Sequence, residues 1–517
     1  VTGYKFSEVS FSFSISKTDL SSPDVFTTLN NLRANEIPSI NRLSTPSTIA
    51  RSPYVTTPPD FPKIHVTTPA NGVDDGYIFA SNFIPSSFLG NPNPGSYLLI
   101  LDNNGEPVYY QKVPETALAT DFKKLSNGLL AYWEGDAYHL LNSSYTEVGK
   151  ITSGNGYPGV DLHDLKLLPD GHYLFLIYYI QKVDMSKLVP GGNPNATVTG
   201  VVIQELDTKG NVVFLWNSFD HIPVTDSNRD LTAATIDYTH SNAIDLDSDG
   251  NILLSSRHLD EITKINRQTG EIIWRLGGKG NQFTIIPAAG ITDIPEFYMQ
   301  HDIRKLPNGN IGLFDNHNDH TPMNSRAMEF SLNQDNKTAT LVWEYRNSPD
   351  VYSAFMGDVQ HLPNGNILIG WGGVPNPNIT EIKPDNTKIF ELGFDAPYVN
   401  YRAYRFPWHG NPNWAPNLVM QPGADTIRLT FSWNGATDVA RYDVYGGKSA
   451  QTMTPVARVE KTGFETSISL VGIQTNYCYY KVLPILMDGQ SKQPSNIVRN
   501  PACRIPTYFP FIFNSRQ

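Results

Sequence analysis

The sequence predicts an all-β chain, and three observations lead there. Glycine (39) and proline (38) are abundant, charged residues make up 17% and aromatics 11%, a balance favouring short strands and turns over long helices. A strand, a Pro/Ser-Asn/Asp-Gly turn and a second apolar strand recur as five similar copies. Between the copies lie hairpins of a second kind, many closing on an aromatic residue. Two hairpins per repeat make a four-stranded unit, and a series of such units is the pattern of a β-propeller.

The elements follow in chain order. Residues 1–60 are rich in Ser, Thr and Pro, and VSFSFSIS alternates, which suits an N-terminal arm or an edge strand. The five copies are TDFKKLSNGLLAYW, HDLKLLPDGHYLFL, NAIDLDSDGNILLS, HDIRKLPNGNIGLF and GDVQHLPNGNILIG, turning at Gly128, Gly171, Gly250, Gly309 and Gly365. Their turn glycines are 43, 79, 59 and 56 residues apart, which suits blades of about 40–50 residues with inserted loops. The insertions fall around Gly191 to Pro194 and from Lys279 to Tyr298. A sixth blade closes from the segment Tyr77 to Tyr110 and the late strand YVNYRAYRF, so residues 61–414 are expected to form a six-bladed propeller, with seven blades as the alternative count. The boundary falls between Trp414 and Gly423. Residues 424–505 then read as short alternating strands of a small sandwich resembling a fibronectin type III module, followed by a tail over 506–517.

Charge and motif content narrow the function. The net charge is −11 and no Lys/Arg run occurs, which argues against nucleic acid as a partner. No apolar run approaches the roughly 18–20 residues of a membrane span. A start at Val1, as after signal-peptide removal, and N-x-[ST] sequons at Asn142, Asn195, Asn336 and Asn378 lead to the expectation of a secreted, extracellular glycoprotein of eukaryotic, fungal type. The two cysteines, Cys478 and Cys503, sit in one small terminal segment and are expected to form a disulfide.

Register points to a site. Eight residues before the turn glycine stand Thr120, His163, Asn242, His301 and Gly357. Equivalent positions on equivalent strands share a face and a height, and His240 lies two residues before Asn242. Seven residues after the glycine stand Arg257 and Asn316. A structural tie between blades would repeat in every copy. This position changes from Thr to His to Asn to Gly, so His163, His240, Asn242, His301, Arg257 and Asn316 are read as one rim at the channel mouth. His172, His258, His317, His320, His361 and His409 fall outside this register and read as loop or surface residues. His317 and His320 with Asp315 and Asp319 match no standard zinc spacing, and no metal is assigned.

Neutral imidazole serves as nucleophile or base near pH 7, and a guanidinium fork suits sulfate, phosphate or carboxylate. These residues alone do not name the group transferred. The segment from His240 to Gly278, HSNAIDLDSDGNILLSSRHLDEITKINRQTGEIIWRLGG, followed by QHDIRKLPNGNIGLFDN, resembles the arylsulfotransferase family, six-bladed propellers that move sulfate from an aryl sulfate ester to a phenol. The resemblance implies that His301 is sulfated, that His163 and His240 stabilise sulfate or move protons, and that Arg257 and Asn242 clamp the sulfuryl oxygens. It implies no required cofactor, small-molecule aryl sulfate and phenol partners, and a ping-pong reaction. A structural calcium at the acidic turn DLDSDGN is a further option. One alternative is a polysaccharide lyase or glycoside hydrolase acting on uronate-containing glycans, in which Tyr238 and Tyr298 join His240, His301 and Arg257. Another is a non-enzymatic propeller that binds glycans or proteins.

Overall fold

The computed structural model describes residues 52–318 and 320–503; the alternating segment VSFSFSIS and the tail 506–517 lie outside the described residues. The fold is all-β, with 44% of residues in strands and 5% in helix. Six sheets of four or five strands follow one another from Tyr77 to Phe406. Each copy of the repeated motif supplies the first hairpin of a sheet, and the intervening hairpin supplies the next two strands. In sheet 4, for example, Ser241–Leu246, Ile252–Ser256, Glu261–Ile265 and Ile272–Gly277 pair in sequence order. The turn glycines explain the tight hairpins. All five adopt φ between 79° and 90°, where a side chain would be strained.

The sheets close on themselves. In sheet 1, Tyr77–Phe83 pairs on one side with Tyr97–Leu101 and on the other with the late strands Val399–Asn400 and Tyr404–Phe406. In sheet 6, the early strand Ile64–Thr68 adds to Lys388–Phe394. Apolar clusters join each sheet to the next. Phe79 and Leu98 meet Phe122 and Leu130 between sheets 1 and 2, and Trp133 meets Phe175 between sheets 2 and 3. Leu176 meets Leu254, Leu253 meets Leu313, and Phe314 meets Ile369. Leu368 and Phe390 then return to Ile78 and Leu99. Burial of about 25 cal/mol per Å² of apolar surface at every seam is what holds sheets with few shared hydrogen bonds together.

The two insertions are structured. The first extends a hairpin whose strands pair from Tyr173↔Leu206 to Val183↔Ala196. The second supplies Thr284–Pro287, which pairs in parallel with Thr338–Tyr345.

A second repeated position was not recognised in the sequence. Seven residues before the turn glycine stand Asp121, Asp164, Asp302 and Asp358, with Ala243 in the remaining copy. These carboxylates tie neighbouring sheets: Ile244 N–H donates to Asp164 (3.1 Å), Val359 N–H to Asp302 (2.9 Å) and Ala403 N–H to Asp358 (3.0 Å). Three cations bridge them, Lys123 and Arg402 buried and Arg304 half-buried. Lys123 lies 2.5 Å from Asp121 and 3.0 Å from Asp164, Arg304 lies 2.8 Å from Asp164 and 2.6 Å from Asp302, and Arg402 lies 3.1 Å from Asp164. Burial alone would raise the Asp164 carboxyl, but Arg304, Lys123 and Arg402 hold it well below the usual range. Burial and then the Asp302 carboxylate push Asp358 well above it. Asp358 is therefore the natural carrier of the proton that balances four carboxyls against three cations.

Two further sheets share one core beyond Trp414: Asn417–Pro422, Thr426–Ser432 and Thr466–Val471 in one, and Thr454–Glu460, Val439–Gly447, Tyr479–Leu486 and Val498–Arg499 in the other. Asn417–Pro422 pairs along its whole length with Pro422↔Ile427 to Asn417↔Ser432, so the first strand precedes residue 424. This unit is fastened to sheets 1 and 2. Asn434 exchanges two hydrogen bonds of 2.9 Å with the Tyr110 backbone, and Tyr145 donates to Gly435 O at 2.8 Å. Cys478 and Cys503 form a disulfide with a Cα–Cα separation of 5.2 Å.

Candidate active site

Three inner strands are bulged, two of them beside His240 and His301, whereas the strand after His163, Leu165–Leu167, pairs without a shift. Pairing shifts between Thr120 and Lys123, between Ser241 and Ala243, and between His301 and Arg304. Asp121, His240 and Asp302 take φ of 53°, 45° and 63° at these places. Simple alternation therefore does not hold at these places. Bulges commonly lie beside functional sites.

The three predicted histidines come together. The His240 ring lies 5.2 Å from His163 and 6.5 Å from His301, centre to centre. Each histidine has its Nδ1 engaged. His163 Nδ1 meets Asp161 Oδ1, and His240 Nδ1 meets Asp237 Oδ2 at 2.7 Å. These carboxylates fix the rings and would offset positive charge when Nε2 carries a proton. Tyr178 stacks on His163 at 5.3 Å, and Tyr401 meets it edge-on at 5.7 Å.

His301 differs in having an amide instead of a carboxylate at Nδ1. Asn316 Nδ2 donates to Ser353 O and Met356 O, both at 2.8 Å, which fixes the amide so that its oxygen faces His301 Nδ1 at 2.7 Å. A carbonyl oxygen only accepts, so Nδ1 carries the hydrogen and Nε2 carries the lone pair. Met356 N–H approaches that lone pair at a long 3.3 Å. Burial, then the Arg257 guanidinium and His240, with His163 adding, push the His301 imidazole well below its ordinary range, against a smaller opposing effect of the Asn316 bond. The neutral form of His301 is therefore favoured, with its lone pair on Nε2.

Arg257 sits just past the end of its strand, buried, with Nη2 donating to Ala354 O at 3.1 Å. Asn318 Nδ2 donates to the same carbonyl.

Several expectations change. Asn316 orients His301 and does not stand as a substrate ligand. Asn242 directs an amide N–H to Gln300 O at 2.8 Å, so it braces the peptide before His301. Tyr238 packs in the core against Phe219, with its hydroxyl toward Ile222 O, because its strand pairs with the outer part of sheet 3. The Tyr298 ring lies 3.8 Å from His320 and lines a separate cavity of about 460 Å³ with Asp260, Lys279 and Phe283. Asn378 is fully buried and donates to Val374 O at 2.7 Å, so no glycan can be attached to it in the folded protein. Asn195 and Asn336 are exposed, and Asn142 is half-buried. His258 and His317 are buried, not surface residues. His258 belongs to the site, with its ring 4.6 Å from His240.

Some of these partners had a sequence signal. An aspartate precedes His163 by two residues in DLH and His240 by three in DYTH. His258 carried no such signal beyond its adjacency to Arg257.

Among the described residues, two groups bring metal-ligating atoms within 4.8 Å of one another: Asp237 with His240 and His258, and Asp170 with His172 and Glu205. In the first, His240 Nδ1 faces Asp237, and His258 uses Nδ1 on Asp237 O at 2.6 Å and Nε2 on Arg257 at 2.8 Å. In the second, Arg267 already bridges Asp170 and Glu205. The acidic turn considered for calcium holds ammonium groups: Lys264 and Lys305 reach Asp247, and Lys166 reaches Asp245.

A sequence-family model described as Arylsulfotransferase (ASST) matches residues 65–405. The chain belongs to the arylsulfotransferase family. Membership implies a transferase and, as substrates, small aryl sulfates and phenols. The match spans all six sheets and ends before the terminal pair of sheets. No curated protein matches the chain. Among solved structures, it is similar to a protein of unknown function from Bacteroides caccae, at 13% identity over 64% of this chain and 98% of that one, with a TM-score of 0.40. It is also similar to a virginiamycin B lyase of Staphylococcus aureus, at 12% identity over 66% and 84%, with a TM-score of 0.30. Among the described residues, no helix is long and apolar enough to cross a membrane.

Proposed function

We propose that this arylsulfotransferase-family chain moves a sulfuryl group from an aryl sulfate to a phenol or other hydroxyl acceptor through a sulfohistidine at His301. The observation that carries the reading is the fixed neutral tautomer of His301. Asn316 holds its Nδ1–H, so the lone pair lies on Nε2, among His163, His240 and Arg257, where it accepts only the long bond from Met356 N–H that an incoming sulfur would displace.

In the first half-reaction, Nε2 of His301 attacks sulfur and forms an N–S bond as the S–O bond to the aryl group breaks. The departing phenolate takes a proton from Nε2 of His240 or His163, whose Nδ1 atoms are held by Asp237 and Asp161. In the second, an acceptor hydroxyl attacks sulfur and gives its proton back to that histidine. The N–S bond breaks, and neutral His301 returns. Arg257 balances negative charge on the sulfuryl oxygens, a preorganised contribution of several kcal/mol in a site screened from water. The uronate-lyase alternative loses one of its two candidate tyrosines, since Tyr238 faces the core.

The same reading treats the six sheets as blades of a closed propeller spanning about residues 61–414, and the terminal pair of sheets as a fibronectin-like module. It also places the protein outside the cell, glycosylated at Asn195, Asn336 and Asn142. Expression in a glycosylating host should give a mass loss for Asn195→Gln and Asn336→Gln and none for Asn378→Gln.

The decisive test of sulfotransfer is turnover of an aryl sulfate with a phenol. Wild type is expected to turn over, and His301→Ala to lose at least about a thousand-fold, as expected when a nucleophile is removed. Full activity in His301→Ala would refute the proposal.

A further inference from the structure

His258 has a single arrangement of its ring hydrogens. It is fully buried and neighbours Arg257 in one turn of 3-10 helix. Its Nδ1 lies 2.6 Å from Asp237 O, a carbonyl that can only accept, so Nδ1 donates. Its Nε2 lies 2.8 Å from Arg257 Nη1, a guanidinium nitrogen that can only donate, so Nε2 accepts. The ring is therefore neutral with its hydrogen on Nδ1, because a second hydrogen on Nε2 would face the guanidinium.

The surrounding backbone fixes this arrangement. Arg257 N–H donates to His240 O at 3.1 Å, and His258 N–H donates to Thr239 O at 3.0 Å. Asp237 thus holds two histidines at once, His240 through its carboxylate and His258 through its carbonyl. With Ala354 O on Nη2, His258 supplies the second acceptor that sets the plane of the Arg257 fork. A planar fork recognises a tetrahedral anion only when its plane is set, whereas a flexible chain must be ordered on binding.

We propose that His258 is a positioning residue that holds Arg257 ready for the sulfate end of the donor. This inference rests on the sulfotransfer reading of the same site. It separates from a merely structural role through two substitutions that keep opposite halves of the imidazole. In His258→Asn the side-chain amide falls near the place of Nδ1, so it keeps the bond to Asp237 O but cannot reach Arg257. In His258→Gln the amide falls near the place of Nε2, so its oxygen can accept from Arg257.

The experiment measures binding of inorganic sulfate to the full chain by calorimetry, the KM for an aryl sulfate, and thermal unfolding. Positioning predicts that His258→Asn weakens sulfate binding and raises KM about ten-fold or more, the effect of losing a hydrogen bond to a charged group. It predicts that His258→Gln stays within about three-fold of wild type, the Arg257 bond being the one that counts. A structural role predicts the opposite order, with His258→Asn better in both folding and binding, and that result overturns the inference. So does equal sulfate affinity in all three proteins. If wild type binds no sulfate and Arg257→Ala leaves KM unchanged, the sulfotransfer reading itself has failed, and the inference with it.

Discussion

Replacing Asn316 by leucine tests how the nucleophile is prepared. The side chains are similar in size, so the change removes polar atoms without opening a large cavity. Three hydrogen bonds disappear: one of 2.7 Å to His301 Nδ1 and two of 2.8 Å to the carbonyls of Ser353 and Met356. A buried N–H left without an acceptor loses about 1–3 kcal/mol. His301 can offset that loss in part by moving its hydrogen to Nε2, the atom that must attack, at the cost of the long 3.3 Å bond from Met356 N–H. The reactive tautomer then becomes rarer by about 5- to 150-fold, at 1.36 kcal/mol per factor of ten. The two abandoned carbonyls add about 1–3 kcal/mol each to the loss of stability, so unfolding must be followed beside activity. The assay is single-turnover release of phenol from a saturating aryl sulfate, at a temperature where the variant is folded by thermal scan. The expectation is a loss in this range in the single-turnover rate, with KM changed much less. A folded Asn316→Leu protein with a rate within two-fold of wild type would refute the tautomer argument.

Two other perturbations follow from the buried charges. Asp164→Asn should destabilise strongly, by about 3–5 kcal/mol, because Lys123, Arg304 and Arg402 share that carboxylate. Asp358→Asn replaces a carboxyl already raised by burial and Asp302, and should unfold near the wild-type temperature in the same scan. His301, whose folded value is depressed, contributes one part of the pH dependence. Below the ordinary imidazole value of about 6.5, the unfolded chain binds a proton that folded His301 refuses. Its stabilising contribution is thus present above about pH 6.5 and is lost as pH falls toward the folded value. Wild type should lose stability relative to His301→Gln across that interval in denaturant titrations, and parallel curves would contradict it.

Much of the sheet architecture was legible because glycine turns and alternating strands repeat. The hairpins, the closing strands near Tyr77 and Tyr398, and the cysteine pair are where periodicity and turn chemistry placed them. The candidate site was legible at the level of which residues differ among equivalent positions, and the fold brings His163 and His301 to within 5.2 and 6.5 Å of His240, ring centre to ring centre. What alternation could not show were the bulges in the strands that carry His240 and His301. The tie of Asp121, Asp164, Asp302 and Asp358 is present in the sequence as a repeat one residue after the varying position, and its role depends on cations from other sheets that spacing does not show. His258 and Tyr238 exchanged roles for a related reason. Tyr238 follows a short strand that pairs with sheet 3, and His258 lies in a 3-10 turn past its strand, and sequence spacing carries no record of either.

The central claim is a covalent sulfuryl group on His301. Rapid quenching of wild type with an aryl sulfate and no acceptor, followed by alkaline digestion and tandem mass spectrometry, tests it most directly. The expected result is a sulfuryl adduct on the peptide carrying His301, discharged when a phenol is added and absent from His301→Ala. Turnover by wild type with no such adduct, or an adduct on His163 or His240 instead, would contradict it.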